Sequence, residues 1–123
     1  MSGNPAARFD ELIHAPARLA IAALMAPAEW VEFRFIRDRT ESSDSALSKQ
    51  LATLVNAGYV EIRKGAVAGR RATWFRLTLH GRSAFEGHVL ALEQIVADAR
   101  RAAPQPPVRP TDTSAAAVGA ETA

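Results

Sequence analysis

The chain has 123 residues, 48% of them apolar, which suits a single domain with a compact core. It contains no cysteine, which excludes disulfide scaffolds, thiolate metal sites, redox-sensing thiols and cysteine nucleophiles together. No apolar run approaches the roughly 20 residues of a membrane span, and Met1 to Arg8 lacks an apolar signal segment, so a cytoplasmic protein with no membrane partner is expected.

In chain order, residues 1–7 read as a flexible N-terminus, followed by one or two helical turns from Arg8 to Ile13. Pro16 stands where a helix can begin, since its missing N–H would be unpaired there anyway. Leu19, Ala20, Ala23 and Leu24 then supply an apolar stripe at helical spacing, and Pro27 closes the segment. Trp30-Val31-Glu32-Phe33 alternates as a very short strand does. Glu32 to Thr40 reads as a short helix with Phe33, Ile36 and also Phe35 turned inward.

Glu41-Ser42-Ser43-Asp44 offers several N-cap side chains before a further helix, whose Leu47, Leu51 and Leu54 lie on one buried face. Gly58 follows as a C′ glycine would. Between the leucines, Ser45, Ser48, Lys49, Ala52 and Thr53 form a small, polar face of the kind that enters a DNA major groove: short side chains admit the backbone, and hydroxyls and ammonium meet base edges and phosphates. The same face also fits an ordinary amphipathic surface helix. Asp44 is unwelcome near phosphate and is assigned to the helix N-terminus.

Tyr59 to Arg63 and Thr73 to Leu77 alternate with period two, as paired strands do. Gly65 to Ala72 between them reads as a glycine-bounded basic loop, its two glycines freeing the tip to turn. From Ile62 to Phe85 there is no acidic residue, while Arg63, Lys64, Arg70, Arg71, Arg76 and Arg82 all fall there. That block fits a polyanion (DNA, RNA or anionic lipid) or a basic edge strand guarding against aggregation. A last helix runs from about His80 to Arg101, with Phe85, Val89, Leu92, Val96 and Ala99 stepping by 4, 3, 4, 3 like a coiled-coil seam. Residues 103–123 hold four prolines and no aromatic residue and read as a disordered tail. The folded unit is therefore residues 8–102.

The order helix, short strand, helix, helix, strand, basic loop, strand, long helix is that of a winged helix-turn-helix, a mainly α fold with a small β-hairpin. From about Phe9 to Val96 the chain resembles winged-helix regulators related to the MarR and PadR groups. The residues that carry the resemblance are Phe35-Ile36-Arg37-Asp38, Leu47-Ser48-Lys49-Gln50-Leu51, Leu54, Ala57-Gly58-Tyr59-Val60, Gly69-Arg70-Arg71, and Trp74-Phe75-Arg76-Leu77-Thr78 with Gly81-Arg82. The resemblance implies a homodimeric transcriptional regulator on double-stranded DNA, without enzymatic activity, its terminal helices forming the interface.

On this reading the recognition helix is about 43–57 and the wing 65–72. The DNA-binding candidates are Ser43, Ser45, Ser48, Lys49, Thr53, Arg63, Lys64, Arg70 and Arg71, and the dimer candidates are Phe85, Val89, Leu92, Val96 and Ala99. His14, His80 and His88 show no i, i+4 pairing and no cysteine joins them, so neither metal nor cofactor is expected. Trp30 and Trp74 are assigned to core or hairpin packing, with an effector pocket as the alternative. Two other functions stay open at this level: a winged-helix protein-interaction module, and a regulator answering to an unidentified small effector.

Overall fold

A computed structural model describes residues 8–104 of the chain, so the expectations for residues 1–7 and for nearly all of the tail lie outside the described residues. The elements are α1 (Glu11–His14), α2 (Pro16–Met25), β1 (Val31–Glu32), α3 (Phe33–Thr40), α4 (Asp44–Asn56), β2 (Val60–Val67), β3 (Arg70–Leu77) and α5 (Leu79–Ala102). The three strands form one antiparallel sheet in the order β1-β3-β2. Its central strand β3 pairs Phe75 with Val31 on one side and with Ile62 on the other.

The core gathers Ile13, Ile21, Met25, Ile36, Leu47, Leu51, Leu54, Val60, Phe75 and Leu77, so every helix of the three-helix unit and the base of the hairpin contribute to one cluster. The leucine face of α4 is buried as its spacing requires. In α2 the buried positions are Ile21, Ala22 and Met25, whereas Ala20 and Ala23 are exposed. Leu19 and Leu24 of the expected stripe are partly buried against the core, while Ile21 and Met25, also four apart, carry more apolar area than the two alanines and take the fully buried places. Phe35 does not turn inward either. It is 47% exposed, with the Arg39 guanidinium 5.3 Å from its ring centre.

Local chemistry sets the element ends. Ser43 caps α4 by accepting from the Ala46 N–H at 3.1 Å. At the other end Gly58 has φ +80°, and the Tyr59 and Gly58 amides donate to the Leu54 and Val55 carbonyls, a Schellman closure. The Leu77-Thr78-Leu79-His80-Gly81-Arg82 run has a physical account in the same region. Leu77 is core, and the Thr78 hydroxyl both accepts from the Gly81 N–H and donates to the Gly58 carbonyl. A Cβ on Gly81 would lie 2.0 Å from the Tyr59 carbonyl oxygen, and Arg82 donates to the Ala26 carbonyl at 2.6 Å. The motif fastens the start of α5 to the end of α4 and to α2.

A polar knot ties the N-terminal segment to α5 and to Tyr59. The Asp10 carboxylate caps α1 at the Ile13 N–H (2.9 Å) and accepts from the Tyr59 hydroxyl (2.5 Å). The Asp10 N–H donates to Nδ1 of the fully buried His88 at 2.9 Å, and His88 Nε2 lies 3.2 Å from His14 Nδ1. Because Nδ1 of His88 accepts, its proton sits on Nε2 and points at His14. The sequence separation of 74 residues hid this histidine pair from any local spacing rule.

Candidate nucleic-acid interface

The wing differs from its expected form. β2 and β3 pair continuously from Val60↔Leu77 to Val67↔Arg70, so most of Gly65 to Ala72 is strand and the turn is only Ala68-Gly69. Both turn residues have positive φ (51° and 81°), the conformation whose twist matches a two-residue hairpin. Gly65 does not free the tip. It lies beneath the Trp74 ring, where a Cβ would come within 2.9 Å of the indole.

Regular pairing makes strand alternation decisive, because successive side chains point to opposite faces. Arg63, Arg70 and Arg76 share the outer face with Glu32, Glu61, Trp30 and Trp74. Each is occupied there. Arg70 pairs with Glu32 at 2.7 Å, which holds the Glu32 carboxyl below the usual range and raises the arginine further. Arg76 pairs with Glu61 at 2.7 Å. Arg63 and Arg76 lie 4.4 and 4.6 Å from the Trp30 ring centre, so both guanidinium groups rest against Trp30.

Lys64 and Arg71 fall on the inner face with Ile62, Thr73 and Phe75, the side turned towards α4. Both are exposed, and among the described residues neither has an ionic partner. Between α4 and this inner face runs a groove of about 480 Å³. Phe33, Leu51, Ala52, Val55, Ile62 and Phe75 line it, with Ser48, Asn56, Lys64 and Thr73 supplying its polar groups. Lys64 is the one charged residue among those lining it.

On α4 itself, Ser45, Lys49, Ala52 and Asn56 recur at i, i+4, i+7 and i+11 and are all exposed, so they form one outward stripe. Ser48 flanks it on the wing side. Ser43 and Thr53 have local duties: the first is the N-cap, and the second donates to the Lys49 carbonyl at 3.1 Å. Arg37 of α3 bonds Asp44 at 3.1 Å and Asp38 at 3.1 Å, which raises its pKa and fixes α3 against the start of α4. That answers the question of Asp44, whose charge is partly neutralised. Asn56, exposed at the end of α4, is not among the sequence candidates; its i, i+4 step from Ala52 sets it on the same stripe.

Among the dimer candidates, Phe85 packs against the domain's own core, and Val89 and Leu92 are half-buried. Val96 and Ala99 are exposed, as are Leu90 and Ile95. The side of α5 that meets its own domain is Gly81, Gly87, His88 and Ala91, so the expected stripe lies beside that face rather than on it. Among the described residues no group of histidine and carboxylate side chains is placed to hold a metal ion.

A three-helix unit carrying a polar outward helix, with a basic β-hairpin beside it, defines a winged-helix domain that binds DNA. The chain belongs to the winged helix DNA-binding domain family, whose model matches residues 17–96. An uncharacterised protein of Methanocaldococcus jannaschii is 28% identical over 85 residues, covering 69% of this chain and 92% of that one. The transcriptional regulator homologue from Pyrococcus horikoshii OT3 shares the fold at a TM-score of 0.67 and 20% identity, over 72% of this chain and 88% of that one. A homodimeric winged helix-turn-helix DNA-binding domain from Mycobacterium bovis, a possible ArsR-family regulator, aligns at a TM-score of 0.51 and 26% identity, over 79% of this chain and 82% of that one. Among the described residues no helix is long and apolar enough to cross a membrane.

Proposed function

We propose that the protein is a homodimeric, sequence-specific transcriptional regulator that acts by binding double-stranded DNA in the cytoplasm and not by catalysis. The observation that carries this reading is the placement of unpaired polar groups. Ser48, Ala52 and Asn56 of α4 and the wing cation Lys64 line one groove, Arg71 lies on the same inner face of the wing as Lys64, and Arg70 and Arg76 are engaged elsewhere. In this reading α4 enters the major groove through Ser45, Ser48 and Lys49. Lys64 and Arg71 meet the flanking backbone or minor groove, and Ser43 presents its hydroxyl to a phosphate at the helix start.

Dimerisation through Val89, Leu92, Val96 and Ala99 would place two recognition helices on half-sites about one helical turn apart. The homodimeric state of the Mycobacterium bovis domain supports it. Leu92→Glu should then give a monomer by light scattering, and a dimer that survives it would place the interface elsewhere. For DNA binding, fluorescence anisotropy compares DNA from upstream of the protein's own gene with scrambled DNA at two salt concentrations. Tight, salt-sensitive and sequence-dependent binding supports the reading. Weak and equal binding to both would favour a protein-interaction module. A second reading, regulation by a small effector, rests on the apolar floor of the groove beside α4: a ligand seated there would occupy space between the two DNA-contacting elements.

A further inference from the structure

Trp30 and Trp74 are the two tryptophans of the chain, and neither belongs to the core cluster. Both are half-buried on the outer face of the sheet, the face turned away from α4. Arg63 stands opposite Trp74 in the ladder and lies 4.4 Å from the Trp30 ring centre. The three side chains surround a cleft of about 350 Å³, whose remaining lining is Lys64, Gly65 and Ala66.

Glycine inside a strand costs stability, and it marks either a bulge or a place that must stay clear of side chain. The ladder runs through Gly65↔Ala72 without a bulge, and the backbone of Gly65 does not have positive φ. Space is what requires the glycine: a Cβ there would come within 2.9 Å of the Trp74 indole. Gly65 and Ala66 together add almost no side chain to the wall of the cleft, so it stays open.

Charge decides what the cleft can hold. Glu32 and Glu61 are bonded to Arg70 and Arg76, both at 2.7 Å, and no carboxylate lines the cleft. Arg63 has no carboxylate partner among the described residues. Its cation–π contact with Trp30 holds the guanidinium in place but satisfies none of its N–H donors. A guanidinium held in this way matches the paired oxygens of a carboxylate or phosphate. Beside it, Trp74 offers an indole against which an aromatic ring packs.

We propose that the outer face of the wing is a binding site for a planar aromatic anion, whose ring packs on Trp74 and whose carboxylate or phosphate is held by Arg63. The volume lies at the small end of ligand sites and suits one or two fused rings. The proposal does not depend on the DNA-binding reading. Arg63 and the inner cation Arg71 point to opposite faces of the wing, so the ligand and DNA do not compete for one surface.

The test uses magnetic resonance of the isotope-labelled full chain, whose two tryptophans give two indole N–H signals. Trp30→Phe and Trp74→Phe assign them. The probes are naphthoate, naphthyl phosphate and the neutral naphthalenemethanol. The anions should shift both indole signals with a Kd on the order of 0.1 mM, and the tighter of the two identifies the anionic group. Naphthalenemethanol should bind about tenfold more weakly, and Arg63→Gln should erase that difference. Arg39→Gln, which removes the same charge from an exposed position of α3, should leave the affinities unchanged. Retained dispersion of the backbone signals shows that the variants fold. Indole signals that stay in place at about 5 mM of every probe overturn the site. An anion preference that survives Arg63→Gln overturns it too, as does one that Arg39→Gln removes as fully, the mark of general charge attraction.

Discussion

Two regions of the domain spend their polar groups in contrary ways. At the junction of the N-terminal segment, α1 and α5, Asp10, His14, Tyr59 and His88 satisfy one another in a closed set of hydrogen bonds. Along α4 and the inner wing, Lys49, Asn56, Lys64 and Arg71 reach into solvent without an ionic partner among the described residues. Satisfied polar groups stabilise a fold, because a buried donor or acceptor left unpaired costs more than a made bond gains. Exposed, unsatisfied ones add little to stability and remain available to a partner. Mutations in the two regions should therefore separate stability from binding.

The largest effect is expected at the knot. Asp10→Ala removes the cap of α1 and the acceptor of the Tyr59 hydroxyl at once, and should cost about 2 kcal/mol in denaturant unfolding. A cost under about 0.5 kcal/mol would mean that the knot is ornamental. The same contact raises the Tyr59 phenol to about 12, so Asp10→Ala should also bring its alkaline titration back towards the ordinary value.

The next largest effect belongs to the DNA-facing region and should leave stability alone. Replacing Lys64 and Arg71 together by Gln should lower DNA affinity about tenfold at moderate salt and reduce the salt slope by about two, one for each lost phosphate contact. Arg70→Gln should change affinity less than about twofold, because Glu32 already occupies that guanidinium. Equal losses for the two faces of the wing would show that the ion pair opens on DNA.

The knot also predicts a pH dependence. Burial, and then the nearby His14, lower the pKa of His88 below its ordinary value. The unfolded chain therefore takes up the proton first as the pH falls. Stability should drop as pH falls through about 6.5 and level off below the folded-state pKa. Protonation at Nδ1 would set an N–H against the Asp10 N–H, and Asp10, Glu11 and His14 are the titratable neighbours that modulate it. His88→Gln should be less stable at neutral pH but flatter on the acid side in thermal unfolding. An unchanged acid limb would remove His88 from this role.

These contrasts also mark what was legible in the sequence. The order of elements, the leucine face of α4, its serine cap and the Gly58 closure depend on neighbours within a few residues, and local patterning displays them. The two faces of the wing were written in the alternation of Arg63, Lys64, Arg70 and Arg71. They became readable only once the strands were known to continue to Ala68-Gly69, because a loop has no alternation to sort them. Phe35 and the two alanines of the α2 stripe were misplaced because tertiary packing chose which apolar positions of each short helix turn inward. The His14–His88 pair and the Arg70–Glu32 bridge join residues far apart in sequence, where no spacing rule applies.

The smallest effect concerns the turn that leads into α4. Between α3 and α4 the chain turns through Glu41, whose φ of +53° places a side chain in the left-handed region. A non-glycine residue there is held about 1 kcal/mol above glycine by the contact of its Cβ with the backbone. The strain persists because the Glu41 and Ser42 amides close α3 onto the Asp38 and Arg37 carbonyls, and Arg37 in turn holds Asp44 at the start of α4. Glu41→Gly should relieve the strain but loosen the unfolded chain, so the net gain should be about 0.5 kcal/mol. Removing a carboxylate close to the DNA face should also raise DNA affinity slightly at low salt, and the gain should vanish at high salt. A loss of stability would mean that the Glu41 side chain supports the turn, and that the angle between α3 and α4 is set by more than the hydrogen bonds seen there.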